Sequence, residues 1–328
     1  MQMTKPAEVS KEELLYGEKG VSLIKDYFST QLCKQLSLTK VSAPLFVKSG
    51  TGFNDDLNGV EQPIRFNLKN IPYQVEIVQS LAKWKRMRLH ELNMEPETGI
   101  VTDMRAIRPD EVVSDIHSFY VDQWDWEKCI LDEHRNIAYL KETVKKIYLA
   151  ILDTNKMLEE RHVRVLDLPE SVYFIHSEEL LQLYPDLDCK ERENRIAKLH
   201  GAVFIMGIGG KLSNNAVHDD RAPDYDDWSS DNEDGYQGLN GDLILWNPAL
   251  DRALEISSMG IRVNAASLSS QLALLGCEQR SGLQFHSNVL NNVYPLSIGG
   301  GIGQSRLCMF LLQKKKISEV QSGIWPDA

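Results

Sequence analysis

The sequence predicts an α+β fold with a largely antiparallel sheet flanked by helices. Three observations carry this. Strand-like runs arrive in succession rather than alternating strictly with helices, which argues against a doubly wound sheet. GIGG at 207–210 follows a strand but lacks the full GxGxxG spacing, and no GxxxxGK[ST] occurs. The 328 residues, 42% apolar and 25% charged, have globular composition. No repeat, low-complexity tract or Pro/Ser linker divides them, so residues 11–328 are expected to form one domain behind a flexible polar tail at 1–10.

Taken in order, Ser10 with Glu13 forms a capping box, and Leu14, Leu15, Ile24, Tyr27, Phe28 and Leu32 recur at roughly helical spacing. Gly17 and Gly20 weaken the first turns. Residues 41–47 read as one edge strand, because Pro44 cannot donate to a central ladder. Strands follow at 64–68 and 75–78, and Ser80 then caps a basic amphipathic helix, SLAKWKRMRLHEL. Further strands are expected at 102–107 and 118–126, with a long helix at 133–161. The second half carries strands at 172–176, 202–206, 242–246, 253–257 and 295–298, and helices at 178–183, 191–199, 267–275 and 303–312.

A net charge of −11 disfavours binding along a nucleic-acid backbone, and no apolar run approaches the length of a membrane helix. The five cysteines are scattered without a CxxC pair, so neither a disulfide framework nor a zinc knuckle is expected, and the N-terminus carries no signal-peptide core. A cytoplasmic protein is the expectation. Charge concentrates at 219–242, where nine acids and one base, Arg221, account for −8 of the total. Such a run is a solvated loop, a site for a divalent cation and a cationic or polyol ligand, or both: 229–234 reads as loop, while the DYDDW and NGD ends carry aromatic and apolar neighbours that suggest anchoring.

Four stretches carry chemistry. RAIRPDE (105–111) puts arginine at the end of a strand, where it either grips a phosphate or carboxylate or forms a surface ion pair with Asp110 or Glu111. In SFYVDQWDWE (118–127), period 2 puts Val121, Gln123 and Asp125 on one face, and Tyr120, Asp122, Trp124 and Trp126 on the other. Gln123 and Asp125 suit ligand recognition or an exposed sheet face. In 240–263, Asp242 and Glu255 either converge on Mg²⁺ against a triphosphate or are solvent-facing acids of a hairpin. SIGGGIGQSRL (297–307) lets a backbone approach a ligand closely, and Arg306 lies one turn into the following helix. Among the histidines, His176 and His200 read as core or surface residues, whereas His117 and His218 adjoin the site strands.

These stretches, in this order, resemble motifs 2 and 3 of the class II aminoacyl-tRNA synthetase fold, with Pro44 in a motif-1-like dimer position. SLAKWKR, RPDE, HSFYVDQWDWE, GIGGKLS, RAPDYDDW, LNGD, EISSMGIR and GGGIGQSRL span nearly the whole chain and are more similar still to the ammonia-dependent asparagine synthetases, the type A aspartate–ammonia ligases. The resemblance implies that L-aspartate is activated by ATP to β-aspartyl-adenylate with release of pyrophosphate, and that ammonia then gives asparagine and AMP. It assigns Arg108 to the α-phosphate, Arg306 to the adenine face or the γ-phosphate, and Asp242 and Glu255 to Mg²⁺. Asp226, Ser257, Ser258 and Arg262 would line the nucleotide pocket. Ser80 and Lys85 would recognise the aspartate carboxylates or the α-phosphate. Asp125 would pair with the α-ammonium, Gln123 would bind substrate or the adenylate carbonyl, and Asp55 would be the loop acid that takes a proton from ammonia. A homodimer is implied. Ser305 stands where synthetases place Glu before the motif 3 Arg, which agrees with the ligase branch. A tRNA-charging enzyme would need an anticodon-binding module beyond the catalytic pattern, and a non-catalytic paralogue would lack Arg108, Arg306, Asp242 or Glu255.

Overall fold

The computed structural model describes residues 11–55, 61–164 and 166–326; the Ser10 cap and the 1–10 tail lie outside the described residues. The helix α1 (Lys11–Leu36) runs unbroken through both glycines. Gly20 has a reason to be small, since a Cβ there would lie 3.1 Å from Leu312. An eight-stranded sheet follows, built from β1 (Leu38–Lys40), β5 (Gly99–Ile107), β6 (Tyr120–Cys129), β11 (Ser297–Gly303), β10 (Arg252–Ile261), β9 (Asn240–Asn247), β8 (Ala202–Met206) and β7 (Tyr173–His176), in that spatial order. Only the two outer pairs, β1–β5 and β7–β8, are parallel. A small antiparallel sheet, β2 (Phe46–Lys48), β4 (Gln74–Ile77) and β3 (Arg65–Asn67), stands beside it.

The expected single strand at 41–47 is instead an irregular crossing over 41–45 between β1 and β2, which lie in different sheets, and only 46–47 are strand. Val41 N–H still donates to Val101 O at 2.9 Å in the large sheet, and Leu45 O accepts from Val78 N–H at 3.1 Å in the small one. Pro44, with no N–H, sits at the crossing where neither ladder needs a donor. Both strands do lie at sheet edges.

One sheet face is covered by α1, α3 (Ile137–Glu160) and α8 (Gln304–Leu311), whose Phe28, Ile147 and Phe310 share a core with Trp124, Trp126, Ile298 and Ile302. Phe28 and Trp124 have ring centroids 4.6 Å apart. The helices α4 (Ser177–Leu183) and α5 (Cys189–His200) flank the β7–β9 end. The opposite face receives α2 (Ala82–Glu91), with α6 (Ala265–Leu274) and α7 (Gln284–Leu290) around a second core that includes Phe53 and Phe285. The helix α7 was not expected from the sequence; its short segment offers only Phe285, His286 and Val289 inward. The glycine run at 299–303 is strand rather than loop, pairing residue by residue with Gln123–Glu127. Ile298 and Ile302 face the core, leaving alternate glycines to face the side where α2 lies.

Candidate active site

The basic helix turns its charge inward. Lys83, Lys85 and Arg86 are all buried, while Arg88 stays outside in an ion pair with Glu91. Arg86 donates to the carbonyls of Val263 and Pro295 at 2.6 and 2.9 Å. Lys85 Nζ donates to Asp125 Oδ1 and to Gly300 O at 2.9 Å. The three buried cations of the helix are thus committed to the protein's own acids and carbonyls.

These contacts form one wall of a cavity of about 420 Å³. Gln123 and Asp125 line it, on the face that period 2 assigns them, while Trp124 and Trp126 lie in the core beneath. Room for them comes from the glycine strand, because a Cβ on Gly301 would lie 2.5 Å from Gln123 Oε1. Asp125 Oδ2 is buried without a hydrogen-bond partner among the described residues. A carboxylate oxygen in that state, on a cavity wall, is suited to receive a cationic group. Burial lowers the Lys85 pKa, Asp125 opposing this and Arg262 adding to it. Ser80 lines the same wall, its hydroxyl accepting from Ala82 N–H at 3.1 Å, one residue before the helix N-cap.

Arg262 and Asp226 also line the cavity but are engaged with protein partners. Arg262 Nε and Nη2 reach Glu127 at 3.0 and 2.8 Å, and Nη1 pairs with Asp226 Oδ1. Glu127, wholly buried, also accepts from Ser297 Oγ at 2.7 Å, and despite burial its pKa is lowered by Arg262. These two predicted residues frame the cavity through a buried ionic network. Ser258 lines the cavity; Ser257 does not, because a register shift between Glu255 and Ser257 turns its hydroxyl onto Gly301 O at 2.9 Å.

At one end of the cavity stand arginines and acids. Arg108 points into it with only long contacts, 3.3 and 3.4 Å, to Gln79 O, whereas Arg105 is exposed. Arg306 donates to Glu255 O at 3.0 Å and lies 3.8 Å from Glu255 Oε2. Asp242 holds Arg221 Nη2 with both carboxylate oxygens at 2.5 Å. Burial and Glu255 push Asp242 up to about 6 against the pull of Arg221, so it is ionised at neutral pH. Glu255 is lowered, Arg306 and Arg221 overcoming its burial. No group of three or more His, Cys, Asp or Glu side chains able to hold a metal ion occurs among the described residues. Glu255 lines the cavity and Asp242 lies behind Arg221, so the pair fits Mg²⁺ once Arg221 yields, since that ion takes one or two carboxylates and completes its shell with water and substrate phosphates. Ser305 N–H donates to Asp122 Oδ1 at 3.0 Å and docks the start of α8 on β6.

Asp55 also lines the cavity, 2% exposed, its backbone O accepting from Gln79 Nε2 at 2.9 Å and its Oδ1 3.9 Å from Lys83 Nζ. Lys83 also reaches Asp224 at 3.1 Å, which takes His286 Nε2 at 2.9 Å and Arg280 at 3.2 Å. Lys83 and His286 hold the Asp224 carboxyl well below its ordinary value despite burial. His117 lines the cavity, its pKa lowered to about 4 by burial and Arg306. His218 instead meets Glu193 at 3.2 Å, His176 caps α4, and His200 stacks on Tyr173 at 3.7 Å.

The acidic run divides: Asp220, Asp231, Glu233 and Asp234 are exposed, as a loop there predicts, while Asp224, Asp226, Asp227 and Asp242 are buried at its anchored ends. Asp224, Asp226, Asp227 and Asp234 each meet a base from elsewhere, Asp227 at 2.5 Å from Arg135 and Asp234 at 2.6 Å from Lys141, and Asp242 meets the run's own Arg221. Glu233 accepts from Ile137 N–H at 3.1 Å and so satisfies an orphan donor at the start of α3. Arg221, Lys83, Asp224 and His286 were not singled out as site residues. The GIGG motif was a signal for the first: Gly209 has φ +107°, and a Cβ there would lie 2.8 Å from Arg221 Cβ.

Comparison with known proteins agrees with this geometry. The aspartate–ammonia ligase family profile matches residues 16–328. An aspartate–ammonia ligase of Bacteroides fragilis is 52% identical over 317 residues, covering 96% of this chain and 92% of its own length. That of Bacteroides thetaiotaomicron is 51% identical over the same extent. The asparaginyl-tRNA synthetase of Pyrococcus horikoshii complexed with asparaginyl-adenylate superposes with a TM-score of 0.68 at 14% identity, over 97% of this chain and 73% of that one. Its counterpart from Entamoeba histolytica, also with asparaginyl-adenylate, gives 0.68 at 12% identity, over 97% and 71%. The fold is therefore that of a class II aminoacyl-tRNA synthetase catalytic domain, and the chain belongs to the aspartate–ammonia ligase family.

Proposed function

We propose that this protein makes L-asparagine from L-aspartate and ammonia, using ATP and passing through β-aspartyl-adenylate with release of pyrophosphate and AMP. The observation that supports it most is the pairing within one cavity of an Asp125 oxygen without a partner, beside Lys85, with Arg108 and Arg306. Asp125 would take the α-ammonium, while Lys85 and Ser80 face an aspartate carboxylate. That leaves the side-chain carboxylate directed at the α-phosphorus, where Arg108 stabilises the charge that builds as pyrophosphate leaves. Gln123 would donate its amide to the adenylate carbonyl. Ser258 and Arg306 face the nucleotide, and Arg262, Asp226 and Ser257 serve it through the strands they brace. Asp242 and Glu255 would hold Mg²⁺, which when bound screens the phosphates and orients the leaving group.

In the second half-reaction ammonia attacks the acyl carbon, and the bond from that carbon to the phosphate oxygen breaks with its electron pair leaving on AMP. The nitrogen becomes acidic as the new bond forms, and Asp55 is placed to accept its proton. No nucleic-acid partner and a cytoplasmic location complete the reading; among the described residues no helix is long and apolar enough to cross a membrane. A twofold homodimer is proposed around the Pro44 region, where Leu45 and Phe46 are exposed apolar residues. The test is a nucleotide-product assay with aspartate, ATP, Mg²⁺ and ammonium: AMP and asparagine are expected, and ADP with phosphate would refute the adenylate route.

A further inference from the structure

Two arginines that line the cavity, Arg306 and Arg221, each stand beside an acid, the first loosely and the second tightly. Arg306 from α8 meets Glu255 from β10 at 3.8 Å, and Arg221 from the segment after β8 meets both oxygens of Asp242 from β9 at 2.5 Å. Only Arg306 has a place in the reading above. Arg221 is as well seated: its Cβ and Cγ lie on the Gly209 backbone, so that an added Cβ there would come within 2.8 and 3.1 Å of them. Its Nη1 donates to Asp220 O at 2.8 Å. Its Nε is buried and has no hydrogen-bond partner among the described residues, although the side chain lines the cavity.

We propose that Arg221 is a phosphate-binding residue that exchanges partners: it holds Asp242 until a divalent ion takes that carboxylate, and then turns its guanidinium onto the phosphates of the nucleotide. This rests on the ATP-using reading above and goes beyond it. Nη2 already uses both Asp242 oxygens, so the guanidinium and a divalent ion compete for the same donor atoms. With the ion on Asp242 and Glu255, both arginines lose their acids together and both face the phosphates. Every charge then stays paired, which a buried site requires. The stem fixed on Gly209 confines the movement to the outer bonds of the side chain, and Nε adds a donor for a bidentate grip on phosphate.

The experiment uses Mn²⁺ as the probe, followed by its electron paramagnetic resonance signal, on the full-length protein without nucleotide. Arg221→Met should bind Mn²⁺ about tenfold more tightly than the unmodified protein, because the competing cation is gone. In calorimetry with Mg²⁺, the same variant should bind pyrophosphate about tenfold more weakly, because one phosphate clamp is gone. Arg221→Gln should show the same pair of opposite shifts and serves if the Met variant does not fold. Unchanged or weaker Mn²⁺ binding in both variants overturns the exchange. So does Asp242→Asn with undiminished Mn²⁺ binding, since Asp242 would then not be the shared ligand. The reading it rests on fails separately, by absence of aspartate-dependent exchange of pyrophosphate into ATP in the unmodified protein.

Discussion

Lys85 Nζ joins Asp125 Oδ1 and the Gly300 carbonyl at once, tying α2 to β6 and β11 beneath the cavity. The bond leaves Asp125 Oδ2 buried and without a hydrogen-bond partner among the described residues. The two residues act as a unit, since removing either leaves the other as a buried charge without its partner. Asp125→Asn should therefore cost at least about a hundredfold in kcat/KM for aspartate, the scale of a broken buried pair. ATP binding, measured by calorimetry, should be retained.

Arg108→Ala and Arg306→Ala should each lower the rate of aspartate-dependent pyrophosphate exchange by about 3–4 kcal/mol of transition-state stabilisation. Neither side chain belongs to the core, so thermal unfolding should move little. Full activity in either variant would remove that arginine from the phosphate site.

Gly301→Ala tests why the strand is glycine-rich. The new Cβ would meet Gln123 Oε1 at 2.5 Å, and the amide is the part able to yield. Expected is a folded protein whose asparagine formation falls about tenfold or more, since a displaced contact group costs rate out of proportion to stability. A large loss of melting temperature with normal specific activity would contradict this.

Asp242 gives a pH dependence. With its carboxyl pushed up to about 6, it loses charge as pH falls through that value. Metal-dependent adenylation should then fall about tenfold per pH unit below it. Its sign for stability is opposite to that of an ordinary ion-paired acid: the folded state binds the extra proton, so stability drops as pH rises from about 4, the unfolded value, towards 6. Initial rates across pH 5–8 with saturating Mg²⁺ read the first effect, and urea titrations from about pH 4 to 7 read the second.

Lys83→Met removes the cation between Asp55 and Asp224 and should destabilise the protein by about 3 kcal/mol, as a broken buried pair does. Asp224 is held below its ordinary value, so its contribution to stability is complete above about pH 4 and is lost as pH falls further. The variant's acid unfolding should begin at higher pH than that of the unmodified protein, as circular dichroism would record.

The alternation of Gln123 and Asp125 against Trp124 and Trp126 was legible in the chain because a strand has period 2 and one face is apolar. Most helices and strands were legible for the same reason of periodicity. The split at Pro44 was not: a missing N–H places a proline at an edge or a crossing, and local pattern does not distinguish the two. The inward turn of Lys83, Lys85 and Arg86 was hidden as well, since a helix face rich in cations looks solvated until acids from distant segments are brought against it.

The chain by itself determined the class of fold, the ordered motifs and which residues face together along each strand, because those follow from local spacing. Tertiary structure alone decided what each charge meets. It turned the nine acids of 219–242 from a surplus into a set dominated by partnered groups, bound Arg262 to Glu127 and Asp226, and put Arg221 on Asp242. Burial strengthens such pairings between residues far apart in sequence, and no local pattern encodes which base will lie beside which acid.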